Sequence, residues 1–103
     1  MYKLIFFVPS SHAEAVKNAV FQAGGGDVGA YKKCCWQVEG QAQFMPCQDA
    51  KPFIGTPGQL EVTLETKVEI IVQQEALEGC VAALKLAHPY EAPVYHVLRL
   101  EDF

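Results

Sequence analysis

The clearest pattern in the chain is an alternation of apolar and polar residues over positions 60–72. The apolar members share one parity: Leu60, Val62, Leu64, Val68, Ile70 and Val72. Because successive side chains of an extended backbone point to opposite faces, this alternation predicts a strand with one face in a core.

The N-terminal part predicts a buried strand followed by a helix. Residues 4–8 are apolar on both parities, as in a central strand covered on both faces or one whose second face is covered by another subunit. Ser11 and Glu14 have the spacing of a capping box, so we expect the helix to begin there. Residues 24–26 are glycines that end this helix. They follow a helix instead of opening one, which disfavours a phosphate-binding loop.

The rest of the chain predicts two more strands and a second helix. Alternation extends a long strand over residues 31–45, and a connection rich in Pro and Gly covers residues 46–59. Residues 75–88 carry the apolar stripe of a helix, and residues 94–100 form the last strand. The order β-α-β-β-α-β predicts an α+β ferredoxin-like sandwich, with both helices on one face of an antiparallel sheet. We expect one domain over residues 1–103.

The lengths of these elements predict self-association. A strand of about fifteen residues spans roughly 50 Å, whereas a helix of about twelve residues spans roughly 18 Å. The hairpin should therefore extend past the helices with a set of apolar residues uncovered: Trp36, Val38, Phe44, Leu60 and Val62. We expect a second copy of the chain to cover them, in a homo-oligomer that is a dimer or a trimer. The alternative is that the loop 46–59 folds back over the hairpin, and both can occur together.

Charge and composition exclude some functions. The formal net charge is −4, and the 8 Lys and Arg residues form no basic cluster, so nucleic acid is not an expected partner. The apolar run at residues 4–8 is too short for a membrane span and no signal-peptide cleavage pattern follows it, which predicts a cytoplasmic protein without a membrane partner. In that compartment we expect free thiols at all four cysteines: Cys34, Cys35, Cys47 and Cys80.

The sequence His88-Pro89-Tyr90-Glu91 is the most function-like cluster. Its imidazole and carboxylate could bind a divalent metal or share a proton. The structural alternative, which we favour, is that His88 bonds the last helical carbonyls and Glu91 accepts from backbone amides. Of the other histidines, His96 is expected to be half-buried in the sheet and His12 to be solvated.

The remaining polar residues give weaker signals. Cys34 and Cys35 are adjacent, so in a strand they would point to opposite faces and could not share one metal. Glu61, Glu65 and Glu69 lie on the polar parity of their strand, where we expect them to face solvent or another subunit. No nucleophile, base and oxyanion donor occur together in a recognisable pattern, and we assign no catalytic residue.

Four motifs together resemble the NIF-three-like (NGG-one-interacting-factor, YqfO-type) family. They are Gly29-x-Tyr31-x-x-Cys34, Gly40-x-x-x-Phe44-x-Pro46, Pro52-x-Ile54-Gly55-x-x-Gly58-x-x-Glu61-x-x-x-Glu65 and His88-Pro89-Tyr90-Glu91-x-Pro93-x-Tyr95. The chain resembles the small domain inserted in those proteins. The resemblance implies a CutA/PII-like fold that associates through its sheet.

The same resemblance shapes the functional expectation. The larger domain of that family, which holds paired metal ions, has no counterpart in these residues, so its hydrolase-like activity is not transferred. We expect a non-enzymatic oligomeric binding or regulatory domain for a small ligand or protein partner. The alternatives are a CutA-type metal-binding or metal-tolerance protein and a hydrolase completed at a subunit interface. The expected ligand-binding residues are His88, Tyr90, Glu91 and Cys34. No cofactor is predicted, and a divalent metal would take His88 and Glu91.

Overall fold

The computed structural model describes residues 1–103 as a four-stranded antiparallel sheet with two helices packed on one face. The elements are β1 (Tyr2–Pro9), α1 (Ala13–Gln22), β2 (Trp36–Phe44), β3 (Glu61–Val72), α2 (Leu77–Ala87) and β4 (Tyr95–Arg99). The strand order is β2-β3-β1-β4, with every neighbouring pair antiparallel. This confirms the predicted ferredoxin-like α+β arrangement.

The core lies between the helices and the even-numbered side chains of the two central strands. Leu4 pairs with Ile70 and Phe6 with Val68, so these four side chains share the face that meets the helices. Helices α1 and α2 contribute buried residues to the same cluster: Val16, Val20, Cys80 and Leu84. Burying each large aliphatic or aromatic side chain stabilises the fold by about 1.5–3 kcal/mol. The opposite face of the sheet, which we call the open face, has no helix on it.

The predicted capping box at Ser11 and Glu14 is wrong. A 3-10 turn spans Ser10–His12, α1 begins at Ala13, and no side chain caps either element. The reason is that both side chains have other partners. The Ser11 hydroxyl lies 2.9 Å from Nδ1 of His12, and Lys17 Nζ donates to Glu14 Oε2 at 2.7 Å.

The glycine turn after α1 has the predicted role. Gly24 and Gly26 adopt φ values of 106° and 85°, which other residues rarely adopt. The Gly26 amide donates to the Ile71 carbonyl at 2.8 Å and so attaches the turn to β3. The helix ends where the left-handed backbone begins.

The second strand is shorter than predicted. It begins at Trp36 instead of residue 31, because the preceding segment turns: Lys33 has a left-handed φ of 58°, and Val28 and Tyr31 form an isolated bridge. The hairpin nevertheless overhangs the sheet. Pro9, the last residue of β1, pairs with Glu65, so residues 61–64 of β3 pair with β2 alone.

The apolar residues of the hairpin do not form one surface, and this part of the prediction is wrong. The register joins even positions of β2 to odd positions of β3, with Trp36 opposite Glu69 and Val38 opposite Lys67. Trp36 and Val38 therefore lie on the open face. Val62, on the even parity of β3, extends from the other face, beyond the end of the helices, and it is exposed.

Candidate functional site

His88 lies at the end of α2 and is only 5% exposed. Its Nδ1 accepts a hydrogen bond from the Tyr90 amide at 3.1 Å, and its Nε2 lies 2.7 Å from the Phe7 carbonyl oxygen. Because Nδ1 accepts, the ring proton is on Nε2, which donates to Phe7. Burial lowers the pKa of His88, although the Phe7 carbonyl and Glu65 act in the other direction. The ring thus joins the end of α2 to β1. The expectation that His88 bonds the last helical carbonyls is wrong.

This geometry bears on the metal-binding alternative. Both ring nitrogens of His88 have backbone partners, so a metal there would displace one of two hydrogen bonds. Glu91 Oε2 accepts from the Lys51 amide at 2.8 Å. No group of three or more His, Cys, Asp or Glu side chains is arranged to hold a metal ion.

Glu91 connects two loops. It belongs to residues 88–94, which we call the signature turn, and its partner Lys51 belongs to residues 46–59, the long loop. The two residues are 40 positions apart in the sequence. Glu91 therefore has the predicted role as an acceptor for a backbone amide, but the amide lies on the long loop and not at the helix end.

Tyr90 and Glu65 form the polar part of the site. The Tyr90 hydroxyl donates to Glu65 Oε2 at 2.9 Å. Burial, followed by the hydrogen bond and charge of Glu65, raises the pKa of Tyr90 far above its ordinary range, so the phenol stays protonated. Glu65 is only 8% exposed, although its parity predicted a residue facing solvent or another subunit. The difference arises because the long loop and the signature turn cover the open face at this point.

A cavity of about 380 Å³ lies between these two loops and the open face. Phe7, Ala42 and Phe44 form its floor, and Phe53 and Tyr90 stand at its sides. The Tyr90 ring centroid is 6.0 Å from that of Phe44 and 6.4 Å from that of Phe53. The long loop therefore folds back over the hairpin, as the alternative prediction stated.

Several residues of the cavity were not identified from the sequence. Glu65 was assigned to a polar strand face, and Phe44 to a subunit interface. Phe53 was not considered, and it also packs against His12, with ring centroids 5.2 Å apart. His12 is accordingly half-covered and not fully solvated. The sequence does contain one signal for this arrangement. Pro and Gly residues surround Phe53, and they allow the long loop to turn back towards β2.

Cys34 lies at the other end of the sheet. It lines a second cavity of about 220 Å³ with Lys3, Cys35, Trp36, Glu69 and Ile71. The strand β2 runs from that cavity to the first one, a distance of roughly 26 Å at ~3.3 Å per residue. The structure thus brings His88, Tyr90 and Glu91 together and leaves Cys34 apart. Cys34 and Cys35 precede β2, so the expectation that a strand separates their faces does not apply.

His96 is exposed and not half-buried, because β4 is an edge strand whose only neighbour is β1; its ring centroid lies 6.2 Å from that of Phe7. Neither helix has the length and apolar character needed to cross a membrane.

Comparison with known proteins gives clear relatives, although no family model matches the chain. The GTP cyclohydrolase 1 type 2 homolog of Mycobacterium tuberculosis is 40% identical over 98 residues, which are 95% of this chain and 26% of that protein. The homolog of Bacillus subtilis is 35% identical over 100 residues, which are 97% and 27% of the two chains. The chain therefore spans about a quarter of the length of the curated relatives it matches.

Solved structures give the same result. A Bacillus cereus protein related to NIF3 has a TM-score of 0.83 and 35% identity, over 98% of this chain and 26% of that one. CutA1 from Pyrococcus horikoshii has a TM-score of 0.70 at 18% identity, over 100% of this chain and 86% of that one, which is a likeness of fold alone. Together with the four sequence motifs, these matches show that the chain is similar to about a quarter of the NIF-three-like proteins and that its fold is CutA-like.

Proposed function

We propose that this domain is a non-enzymatic binding domain that takes a small ligand in the cavity beneath the long loop. The observation that carries the proposal is the cavity itself, about 380 Å³ with aromatic walls and carboxylates at Glu65 and Glu91. Sites for small molecules are mostly apolar, enclose roughly 300–1,000 Å³ and contain few polar groups. Of the expected ligand-binding residues, Tyr90 and Glu91 line the cavity, whereas His88 and Cys34 do not.

The chemistry of the cavity favours binding over catalysis. The Tyr90 phenol stays protonated and is bonded to Glu65, and both nitrogens of His88 are bonded to the backbone. No side chain is left as an activated nucleophile with an adjacent base. The relatives carry the name of a cyclohydrolase homolog, but this chain matches about a quarter of their length, so we place that activity outside this domain.

The test uses Nile red, a neutral apolar dye whose fluorescence rises in a dry site. We expect saturable binding that Ala42→Phe weakens by about tenfold or more, because the added ring occupies the floor of the cavity. Gln41→Phe is the matched control, since it adds the same ring to the opposite face of β2. Absence of saturable binding, or equal weakening by both variants, would contradict the proposal.

We propose also that the domain self-associates through the uncovered part of the open face. Trp36 is 57% exposed there, and Val38 and Leu98 are also exposed. Half-buried Ile5 and Ile71 lie between them on the same face, where Lys3, Lys67 and Glu69 interrupt the apolar patch with ion pairs. Exposed apolar patches of this kind mark protein contacts, and a second copy of the chain is the proposed cover. The free thiols suit a reducing compartment, and a cytoplasmic location is part of the same proposal.

A further inference from the structure

We infer that the cavity takes an organic ammonium ion, an amine cation joined to an apolar or aromatic group. The inference rests on the proposed function, since it names the class of ligand for the same cavity. Three features of the cavity support it: a buried carboxylate without a cationic partner, a lining without basic side chains, and aromatic walls.

The buried carboxylate is Glu65. Its Oε2 accepts a hydrogen bond from Tyr90, and it has no other hydrogen bond and no salt bridge. Lys67 lies two positions along the same strand face, but its Nζ pairs with Glu69 at 3.6 Å. Glu65 is mostly covered by protein, so solvent would screen its attraction for a cation in the cavity less than at an open surface.

The lining of the cavity adds a second negative charge and no positive charge. Glu91 lines the same cavity, whereas no Lys, Arg or His does. Phosphates and carboxylates would therefore meet two like charges at short range. An ammonium ion would meet opposite charge, and its N–H groups could donate to Glu65 Oε1, which has no partner in the chain.

The aromatic lining selects an organic cation over a metal ion. Phe44 on the floor and Phe53 and Tyr90 at the sides line the cavity, and such rings attract ammonium groups as well as apolar groups. Hard divalent cations instead require about six to eight oxygen ligands. The cavity offers two carboxylates, and one oxygen of each already accepts a hydrogen bond.

The test compares ligands of similar size and different charge on the wild-type protein. Phenethylammonium, phenethyl alcohol and phenylacetate compete with Nile red for the cavity. We expect the ammonium to displace the dye at about tenfold lower concentration than the alcohol, and phenylacetate to be the weakest. This series needs no variant and so does not depend on the folding of one.

Two variants then test whether the charge of Glu65 causes the preference for the ammonium ion. Glu65→Gln keeps the shape and an acceptor for Tyr90, so it should abolish the preference for the ammonium and retain dye binding. Glu61→Gln, on the same strand face but outside the cavity, should leave the preference unchanged. A cavity that binds the dye without preferring the cation would overturn this inference alone. A cavity that does not bind the dye would overturn the proposed function as well.

Discussion

At the scale of single residues, His88 is the most informative side chain of the signature turn. Its partners and those of its neighbours are remote: Phe7 is 81 positions away, Lys51 is 40 positions from Glu91, and Glu65 is 25 positions from Tyr90. The sequence identified the cluster because its residue types are unusual together. It could not identify the partners, because two of the three are backbone groups that every residue carries.

Lowering the pH should destabilise the fold through His88. Burial holds its pKa below the ordinary value of about 6.5, while the Glu65 carboxylate raises the pKa and His12 lowers it further. As the pH falls from about 6.5 towards that lower pKa, the unfolded chain binds the proton first. The free energy of unfolding should therefore decrease through this window.

His88→Gln tests this prediction. Glutamine can still donate an N–H group to Phe7 but does not titrate, so its urea midpoint should change less than that of wild type between about pH 7.5 and pH 5.5. His96→Gln, at an exposed position, should keep the pH dependence of wild type. Equal pH dependence of all three proteins would show that His88 does not contribute.

At the scale of elements, the sequence predicted the order and type of both α-helices and all four strands, but not the 3-10 turns that precede each α-helix. It did not predict where β2 begins. The residues before Trp36 are compatible with a strand, but Lys33 adopts a left-handed backbone conformation that interrupts it. Nor did it predict which residues of β2 and β3 point to the same face of the sheet. A register shift of one residue exchanges the faces of a strand, and the register here follows from the geometry of the long loop, which has no simple sequence signal.

The two faces of the hairpin give a direct test of the proposed oligomer. Trp36→Glu places a charge on the open face and should dissociate the oligomer, at a cost of roughly 2–5 kcal/mol per buried unpaired charge. Val38→Glu repeats the test opposite Lys67, where the new carboxylate does not face another acid. Light scattering should show smaller species for both variants.

Leu64→Glu provides the contrast. Leu64 is 54% exposed and lies on the helix side of the overhang, so this variant should keep the mass of wild type if the open face forms the contact. Dissociation by Leu64→Glu alone would place the contact on the other face. A wild-type protein that is monomeric at micromolar concentration would contradict self-association altogether.

At the scale of the whole molecule, the four thiols are free and differ in burial. Cys35 and Cys47 are exposed and Cys34 is half-buried, whereas Cys80 lies in the core with its Sγ 3.6 Å from the Val20 carbonyl oxygen. Burial raises the pKa of Cys80, which further suppresses the reactive thiolate. Reaction at Cys80 therefore requires α1 and α2 to separate.

Ellman's reagent should modify Cys35 and Cys47 at once, Cys34 more slowly and Cys80 only when the chain unfolds. All four thiols should react in urea, and Cys80→Ala should remove the slowest phase without changing the others. Rapid reaction of Cys80 in native buffer would contradict the packing of the two helices. Recovery of two thiols in urea would indicate a disulfide and argue against a reducing compartment.

The position of β1 in the sheet has a consequence for how the chain folds. β1 is synthesised before the other three strands, yet it lies between β3 and β4, with Tyr2 opposite both Val72 and Arg99. Its partners in β3 and β4 lie 56 to 97 positions later in the sequence, and such distant pairing slows folding. A chain interrupted before β4 would expose one edge of this hydrophobic strand, and an unpaired edge of that kind pairs readily with another chain. Synthesis of the last strand therefore protects the first one from aggregation.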